Sequence, residues 1–195
     1  MAIAHHPPTA TGLENIKLAF WTFIGSETLF FGSLISTYMV YKGRNVTGPY
    51  PEEVLNIPLT SVSTFVLLMS SLAMVLALDG VQRKNRKLTL FWLGAVIVLG
   101  AGFLGFQVYE FSHFVHHYHL TIQTNVFGST FFVLTGFHGA HVTLGVIWLT
   151  TLWIMAFRGN LSSDGDEMKV EIAGLYWHFV DVVWIVIFTL IYLIQ

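Results

Sequence analysis

The chain alternates between five long apolar stretches and short polar segments. A bilayer core of about 30 Å requires about 20 mostly apolar residues in helical form, and each stretch reaches that length. The stretches cover residues 17–41, 59–79, 88–111, 126–157 and 171–195. Because every backbone polar group in lipid must be paired, helices are favoured over open strands. The pattern therefore predicts an all-α fold, a polytopic membrane bundle of five transmembrane helices.

The positively charged residues predict how this bundle crosses the membrane, because cytoplasmic loops carry an excess of lysine and arginine. If the helices alternate in direction, one side of the membrane receives seven of the nine cations: Lys17, Arg83, Lys84, Arg86, Lys87, Arg158 and Lys169. The other side receives Lys42 and Arg44. We therefore expect residues 1–16 to form a cytoplasmic N-terminal segment. Residues 17–195 should form one transmembrane domain with an external C-terminus.

Composition narrows the classes of function. Charged residues make up 10% of the chain and apolar residues 54%, whereas a soluble domain has roughly 25% charged residues. The chain has no cysteine, which excludes disulfides, thiolate metal sites and iron–sulfur clusters. A net charge of −2 gives no indication of a nucleic-acid partner. The chemistry of this protein is therefore expected inside or beside the membrane.

Five acidic or imidazole side chains fall within the apolar stretches: Glu27, His138, His141, His178 and Asp181. A charge at mid-bilayer costs at least about 2.5–3.5 kcal/mol, so each of these groups needs a partner. The two histidines of the fourth stretch are three residues apart, as are the histidine and aspartate of the fifth, so each pair shares a helix face. The pattern predicts an intramembrane polar network in which carboxylates and imidazoles satisfy one another across helices.

Three interpretations of this network stay open on the residues alone. It fixes helix packing, or it gives Glu27 and its neighbours a role related to protons or lipid, or it holds a redox metal or haem. Histidines on facing helices commonly hold haem, which makes His141 and His178 a candidate pair. The carboxylates close to these histidines count against the haem. Glu27 has no partner on its own helix, so it either contacts another helix or stays neutral.

A second polar group is expected at the external end of the third stretch, where Gln107, Glu110 and His113 lie. Further histidines follow: His116, His117 and His119. Imidazole binds copper and zinc well, which raises the hypothesis of a metal site. No carboxylate or thiolate completes a ligand set within this segment. We therefore expect a solvated interfacial loop, with no metal and no catalytic residue in the chain.

Four segments together resemble subunit III of haem–copper terminal oxidases, the cytochrome c and quinol oxidases, in their five-helix bacterial form. The segments are Gly136–Val142 (GFHGAHV), Tyr176–Trp184 (YWHFVDVVW), Gly25-Ser26-Glu27, and residues 102–111 with their glycines, Gln107 and Glu110. The similarity extends over roughly residues 20–193 and touches all five predicted helices. The longer members of that family have two further helices before these five.

The resemblance implies a non-catalytic accessory subunit of a proton-pumping oxidase that reduces oxygen to water in a bacterial cell membrane. Such a subunit packs against subunit I, accompanies subunit II, binds phospholipid and supports proton uptake. Haem and copper lie in the partner subunits, so this chain itself is expected to carry no cofactor. By the same resemblance, Glu27 is the membrane glutamate near the subunit I contact.

The sequence leaves open which electron donor such an oxidase uses, and two other functions are alternatives to the oxidase subunit. Cytochrome c is favoured as donor because residues 100–111 and the Gly139-Ala140 pair are closer to the cytochrome c oxidases; the alternative is a quinol oxidase. A stand-alone membrane electron carrier would bind haem on His141 and His178. A proton-coupled transporter would use Glu27, although five helices give no inverted repeat.

Overall fold

The protein is a bundle of membrane-spanning helices. A computed structural model describes residues 15–159, 161 and 166–194. Its elements, in chain order, are α1 (Asn15–Tyr41), the short α2 (Pro51–Val54), α3 (Ile57–Gln82), α4 (Arg86–His117), α5 (Val126–Phe157) and α6 (Asp166–Phe188), which a π-helical turn continues (Thr189–Leu193). Five of these helices are long and apolar enough to cross a membrane, and the described residues contain no strand. The predicted all-α class and the number of spans are confirmed.

Most helices begin and end within a few residues of the predicted bounds, and α4 shows the largest difference. It continues to His117, six residues beyond the predicted end of the third stretch. The expected histidine loop is therefore helical over its first part, where Phe114 is buried and its ring contacts Phe131 of α5. Of the predicted segment 1–16, only residues 15 and 16 are described, and they begin α1.

Asparagine side chains begin three of the long helices. Asn56, Asn85 and Asn125 precede α3, α4 and α5, and each side-chain oxygen accepts a hydrogen bond from the backbone N–H three residues later, at 3.1, 3.2 and 2.7 Å. A cap of this kind satisfies one of the four backbone donors that a helix leaves free at its N-terminus. These caps fix where each helix begins at the membrane surface.

The core of the bundle is built around α6. This helix packs against α1, α3 and α5, and α3 packs closely against α4. Trp177 of α6 is fully buried, and its indole packs directly against Gly100 of α4 and Gly145 of α5. A Cβ atom added to either glycine would lie 2.6 or 2.8 Å from the indole ring, so only glycine leaves room for it. Small residues thus bring three helices together around one large side chain.

Helix α1 lies at the edge of the bundle. It packs on α5 and α6 through Phe31 and Tyr38, which are its only fully buried side chains. Its outer face carries large apolar side chains, and Leu29 is 75% exposed. The Lys17 ammonium lies 2.8 Å from the Glu171 carboxylate of α6, and the Lys42 ammonium bonds the Ile194 carbonyl at the other end. Two polar contacts therefore fasten the ends of a helix whose middle is open to lipid or to a partner.

Candidate functional site

The polar side chain of α1 finds its partner on α5. Glu27 Oε2 lies 3.1 Å from His141 Nε2, and both side chains are partly buried. The Phe31 ring contacts the imidazole edge-on, with ring centroids 4.9 Å apart. The structure therefore brings together one carboxylate and one imidazole from two predicted helices, and contact with another helix is one of the two alternatives that the sequence left for Glu27.

The hydrogen bonds of His141 place one proton between these two residues. Its Nδ1 lies 2.7 Å from the Phe137 carbonyl oxygen. A carbonyl oxygen only accepts, so this nitrogen carries a hydrogen. The other nitrogen then donates to the Glu27 carboxylate as imidazolium, or accepts a hydrogen from the Glu27 carboxyl group. In both cases a proton lies on the Glu27–His141 axis, and neither imidazole nitrogen is free to bind a metal.

His138, one turn away on α5, is enclosed by aromatic rings instead of polar groups. It is fully buried and stacks on Trp184 of α6, with ring centroids 4.9 Å apart. Phe31 and Phe103 contact it edge-on. Among the described residues, neither of its ring nitrogens has a hydrogen-bond partner. The shared helix face with His141 therefore does not make His138 part of a carboxylate–imidazole pair.

The third polar group joins α6 to α3. His178 Nδ1 lies 2.7 Å from the Ser71 hydroxyl. Asp181 is buried, and its carboxylate makes no hydrogen bond of normal geometry to a described residue, although Ser71 lies beside it. His178 and Asp181 thus share a face without bonding each other. Of the five predicted residues, Glu27 and His141 bond each other, and His178 bonds Ser71, which was not predicted. His138 and Asp181 make no hydrogen bond to a described residue, so only Glu27–His141 joins a carboxylate to an imidazole.

Gln107 and Glu110 lie toward the predicted external end of α4 but point into the bundle. Gln107 donates to the Thr135 carbonyl at 2.7 Å and lies against Gly139. Glu110 is 7% exposed and accepts hydrogen bonds from the Thr60 and Tyr192 hydroxyls at 2.9 and 3.0 Å. These two side chains therefore connect helices and are not solvated, unlike the expected interfacial group.

His113 differs from these two residues because it stays exposed. Its ring stacks on those of Tyr109 and His117. The described residues contain no group of three or more histidine, aspartate or glutamate side chains that could hold a metal. The histidine-rich end of α4 is therefore an exposed helix face.

Sequence reasoning missed the hydroxyl groups of α3. Trp177 and Trp184 of α6 donate their indole N–H groups to the Ser70 and Thr64 hydroxyls at 2.9 and 3.0 Å. Thr60 on the same helix holds Glu110. Part of the signal was present in the sequence, because Thr60 and Thr64 are four residues apart and share a helix face. Ser70 follows six residues after Thr64. These contacts make α3 the polar partner of α6 and α4.

Comparisons with known proteins assign the chain a family. The model of the family "Cytochrome c oxidase subunit III" matches residues 3–195. The "Cytochrome c oxidase subunit 3" of Bacillus subtilis strain 168 is 43% identical over 180 residues, 92% of this chain and 86% of the relative. The protein of that name from Alkalihalophilus pseudofirmus is 40% identical over 96% of this chain and 91% of the relative. The "Quinol oxidase subunit 3" of B. subtilis strain 168 is 42% identical over 94% of this chain and 88% of the relative.

Proposed function

Because the chain belongs to the cytochrome c oxidase subunit III family, we propose that it is the accessory subunit III of a proton-pumping haem–copper oxidase in a bacterial cell membrane. The observation that carries this proposal is the 43% identity to a cytochrome c oxidase subunit 3 over 92% of the chain. Haem and copper are assigned to the partner subunits, where oxygen is reduced to water. This chain is assigned no catalytic residue and no cofactor beyond bound phospholipid.

The exposed face of α1 and α5 is the proposed contact with subunit I, in a complex that also contains subunit II. Large apolar side chains cover this face, including Leu29 and Phe137 at 75% and 47% exposure. The two helices also carry Gly25, Gly32 and Gly136. A Cβ atom added to any of these glycines would meet no other atom within 4 Å. Small residues of this kind let helices approach closely in a membrane. The face is thus suited to receiving helices of a larger subunit, which the accessory chain would stabilise.

The Glu27–His141 pair is the proposed link to proton uptake. It lies between α1 and α5, beside the proposed contact face, and one proton lies on its axis. A carboxylate–imidazole pair of this kind accepts and releases a proton with little movement of heavy atoms. We assign it the role of supporting proton uptake by subunit I. The pair has no redox role in this proposal, since both nitrogens of His141 are already engaged.

Cytochrome c is the proposed electron donor. The family's description names cytochrome c oxidase, and so do the names of relatives that are 43%, 40% and 42% identical to the chain. Quinol is the second candidate, because a quinol oxidase subunit is 42% identical to the chain. Oxygen consumption by the purified complex separates the two: reduced cytochrome c should support turnover, and a short-chain quinol should not. Turnover with quinol alone would establish the second candidate.

Co-purification tests the accessory role itself. The native membrane is solubilised mildly, the complex is captured through a tag on this chain, and haem is measured by the pyridine haemochrome spectrum. We expect haem-bearing subunits in stoichiometric amount in the captured complex. After the chain has been separated from its partners, we expect no haem on it. Capture without a haem-bearing partner would overturn the proposal, and haem retained by the separated chain would favour the electron carrier.

A further inference from the structure

Two adjoining cavities open near the end of α4, on the side of the bundle that carries the connection from α1 to α3. The first has a volume of about 370 Å³, and its lining includes the polar side chains of Glu53, Glu110 and His113. The second is a groove of about 510 Å³ over Gly102, Gly105 and Phe106. Leu59 and Tyr109 line both cavities. A polar chamber therefore leads directly into an apolar groove.

The chamber favours a positively charged group. Its lining contains two glutamates and no lysine or arginine. Glu110 is held in place by the Thr60 and Tyr192 hydroxyls, and Glu53 by the Tyr50 backbone N–H at 3.1 Å. Two fixed carboxylates beside tyrosine rings favour an organic ammonium, through charge-assisted hydrogen bonds and cation–π contact. A bare metal ion fits less well, because no group of three metal-ligating side chains occurs in the part of the chain that the structure describes.

The groove favours a hydrocarbon chain. An added Cβ at Gly105 would meet no atom within 4 Å, and one at Gly102 would meet only Val66, at 3.9 Å. Because these two positions have no side chain, the groove stays open along the exposed surface of α3 and α4. At about 1.5 Å per residue, Gly105 and Gly102 lie about 7 and 12 Å from Glu110 along the axis of α4. The polar and apolar parts thus succeed each other from the membrane surface inward.

We propose that this site binds an aminophospholipid, a lipid with a primary ammonium headgroup such as phosphatidylethanolamine. The ammonium lies between Glu53 and Glu110, the phosphate faces the exposed His113 ring, and one acyl chain lies in the groove over Gly102 and Gly105. In the predicted orientation the lipid belongs to the external leaflet. The inference rests on the lipid-binding part of the proposed function and adds a position and a headgroup to it.

Photolabelling tests the position of the lipid. The oxidase complex is reconstituted in vesicles of equimolar phosphatidylethanolamine and phosphatidylglycerol, with phosphatidylethanolamine carrying a diazirine in its acyl chain as the probe. We expect labels on residues 57–66 and 102–109 at roughly fivefold the level of other exposed helix faces. Gly105→Leu fills the groove without a clash inside the chain and should lower the labels to that background level. Val108→Leu, at a 68% exposed position outside the groove, is the matched control and should leave them unchanged.

A second comparison tests the headgroup. With the probe on phosphatidylglycerol instead, we expect roughly fivefold less labelling of the groove in the wild-type chain. Glu53→Gln keeps an acceptor for the Tyr50 N–H and removes the charge, so the difference between the two lipids should largely disappear. Even labelling of all exposed faces, or equal labelling by both lipids in the wild-type chain, would overturn the inference. Haem content of the same preparation reports the proposed function separately, because labels are mapped on this chain with or without its partners.

Discussion

At the scale of single residues, the polar groups in the membrane have unequal environments. Glu27 and His141 bond each other, His178 bonds Ser71, and His138 and Asp181 have no hydrogen-bond partner among the described residues. A buried polar group without a hydrogen-bond partner is costly. The burial of the His138 imidazole and of the Asp181 carboxylate therefore lowers the free energy of unfolding. The pair that is bonded between α1 and α5 is therefore the better candidate for proton chemistry than the two unbonded groups.

Glu27→Gln tests the proton on the Glu27–His141 axis. An amide keeps the length and an acceptor of the side chain, so we expect normal yield of the assembled complex. It cannot take up or release a proton, so proton uptake should slow, or the active lifetime should shorten, by several-fold. Proton release by vesicle-reconstituted complex and activity over many turnovers measure these effects. Thr28→Val, on an exposed neighbour, is the control, and unchanged pumping and lifetime in Glu27→Gln would count against the role.

Ser71→Ala tests which residue satisfies His178. The change removes the hydroxyl at 2.7 Å and leaves the imidazole nitrogen without that partner. We expect a loss of about 0.5–2 kcal/mol in the free energy of unfolding, the range found for hydrogen bonds between membrane helices. Unfolding of the purified chain in detergent by increasing SDS measures it. Ser61→Ala, at an exposed position of the same helix, should have almost no effect, and equal losses in both variants would contradict this assignment.

At this scale the sequence predicted which helices carry the polar residues, but it did not predict their partners. Spacing placed Glu27 and Asp181 inside the bilayer, yet it gave no means of choosing His141 for one and Ser71 as the neighbour of the other. Glu110 shows the same limit: its position in the sequence indicates the membrane surface, while its burial depends on Thr60 and Tyr192 from two other helices. Such contacts follow from helix packing, which periodicity in one helix does not encode.

At the scale of elements, the asparagine caps connect helix starts to the segments before them. Asn125 caps α5 and also donates to the carbonyls of Thr47 and Pro49 in the connection after α1, at 3.3 and 3.1 Å. Asn45 in that connection accepts from the Phe127 backbone N–H at 3.0 Å. These contacts hold the connection against the start of α5. Asn85, by contrast, caps α4 within its own loop.

Asn125→Ala should therefore loosen the connection as well as the helix start. We expect a cost of about 1 kcal/mol from the lost cap, together with faster hydrogen exchange of the amides between residues 42 and 56. Asn85→Ala loses a comparable cap and serves as the matched control, because it should leave exchange in that connection unchanged. Hydrogen exchange followed by mass spectrometry resolves the two regions. Equal protection of the connection in both variants would show that Asn125 does not hold it.

Helix number and type were predictable at this scale because five apolar stretches of sufficient length leave few alternatives. The end of α4 was not, since six residues beyond Phe111, four of them serine or histidine, continue the helix. The position of α1 at the edge of the bundle could not be predicted from the sequence either. Its apolar stretch is long enough to cross a membrane, as are those of the other four helices, and only the packed structure shows that its outer face is uncovered.

At the scale of the whole molecule, the five spans and the family were both indicated by the sequence, and both are confirmed. The direction in which the bundle crosses the membrane remains a prediction from the distribution of lysine and arginine. The proposed contact with subunit I does not depend on that direction, and for the proposed lipid site the direction decides only the leaflet. Neither the exposed face of α1 and α5 nor the groove along α4 changes if the orientation is reversed.

Single cysteines determine the orientation cleanly, because the chain has none of its own. Thr47→Cys places a thiol at an exposed position of the connection after α1, and Gln82→Cys places one at the exposed end of α3. We expect a membrane-impermeant maleimide to label Thr47→Cys in intact cells and Gln82→Cys only after permeabilisation. The unmodified chain is the blank. The opposite pattern would place the N-terminus outside.

The packing of Trp177 against two glycines has a consequence for the order in which the bundle forms. Gly100 and Gly145 lie on α4 and α5, whereas Trp177 lies on α6, which is synthesised after both. Before α6 is inserted, no indole fills the space beside these two glycines. We therefore expect the bundle to pack tightly only after α6 has entered the membrane.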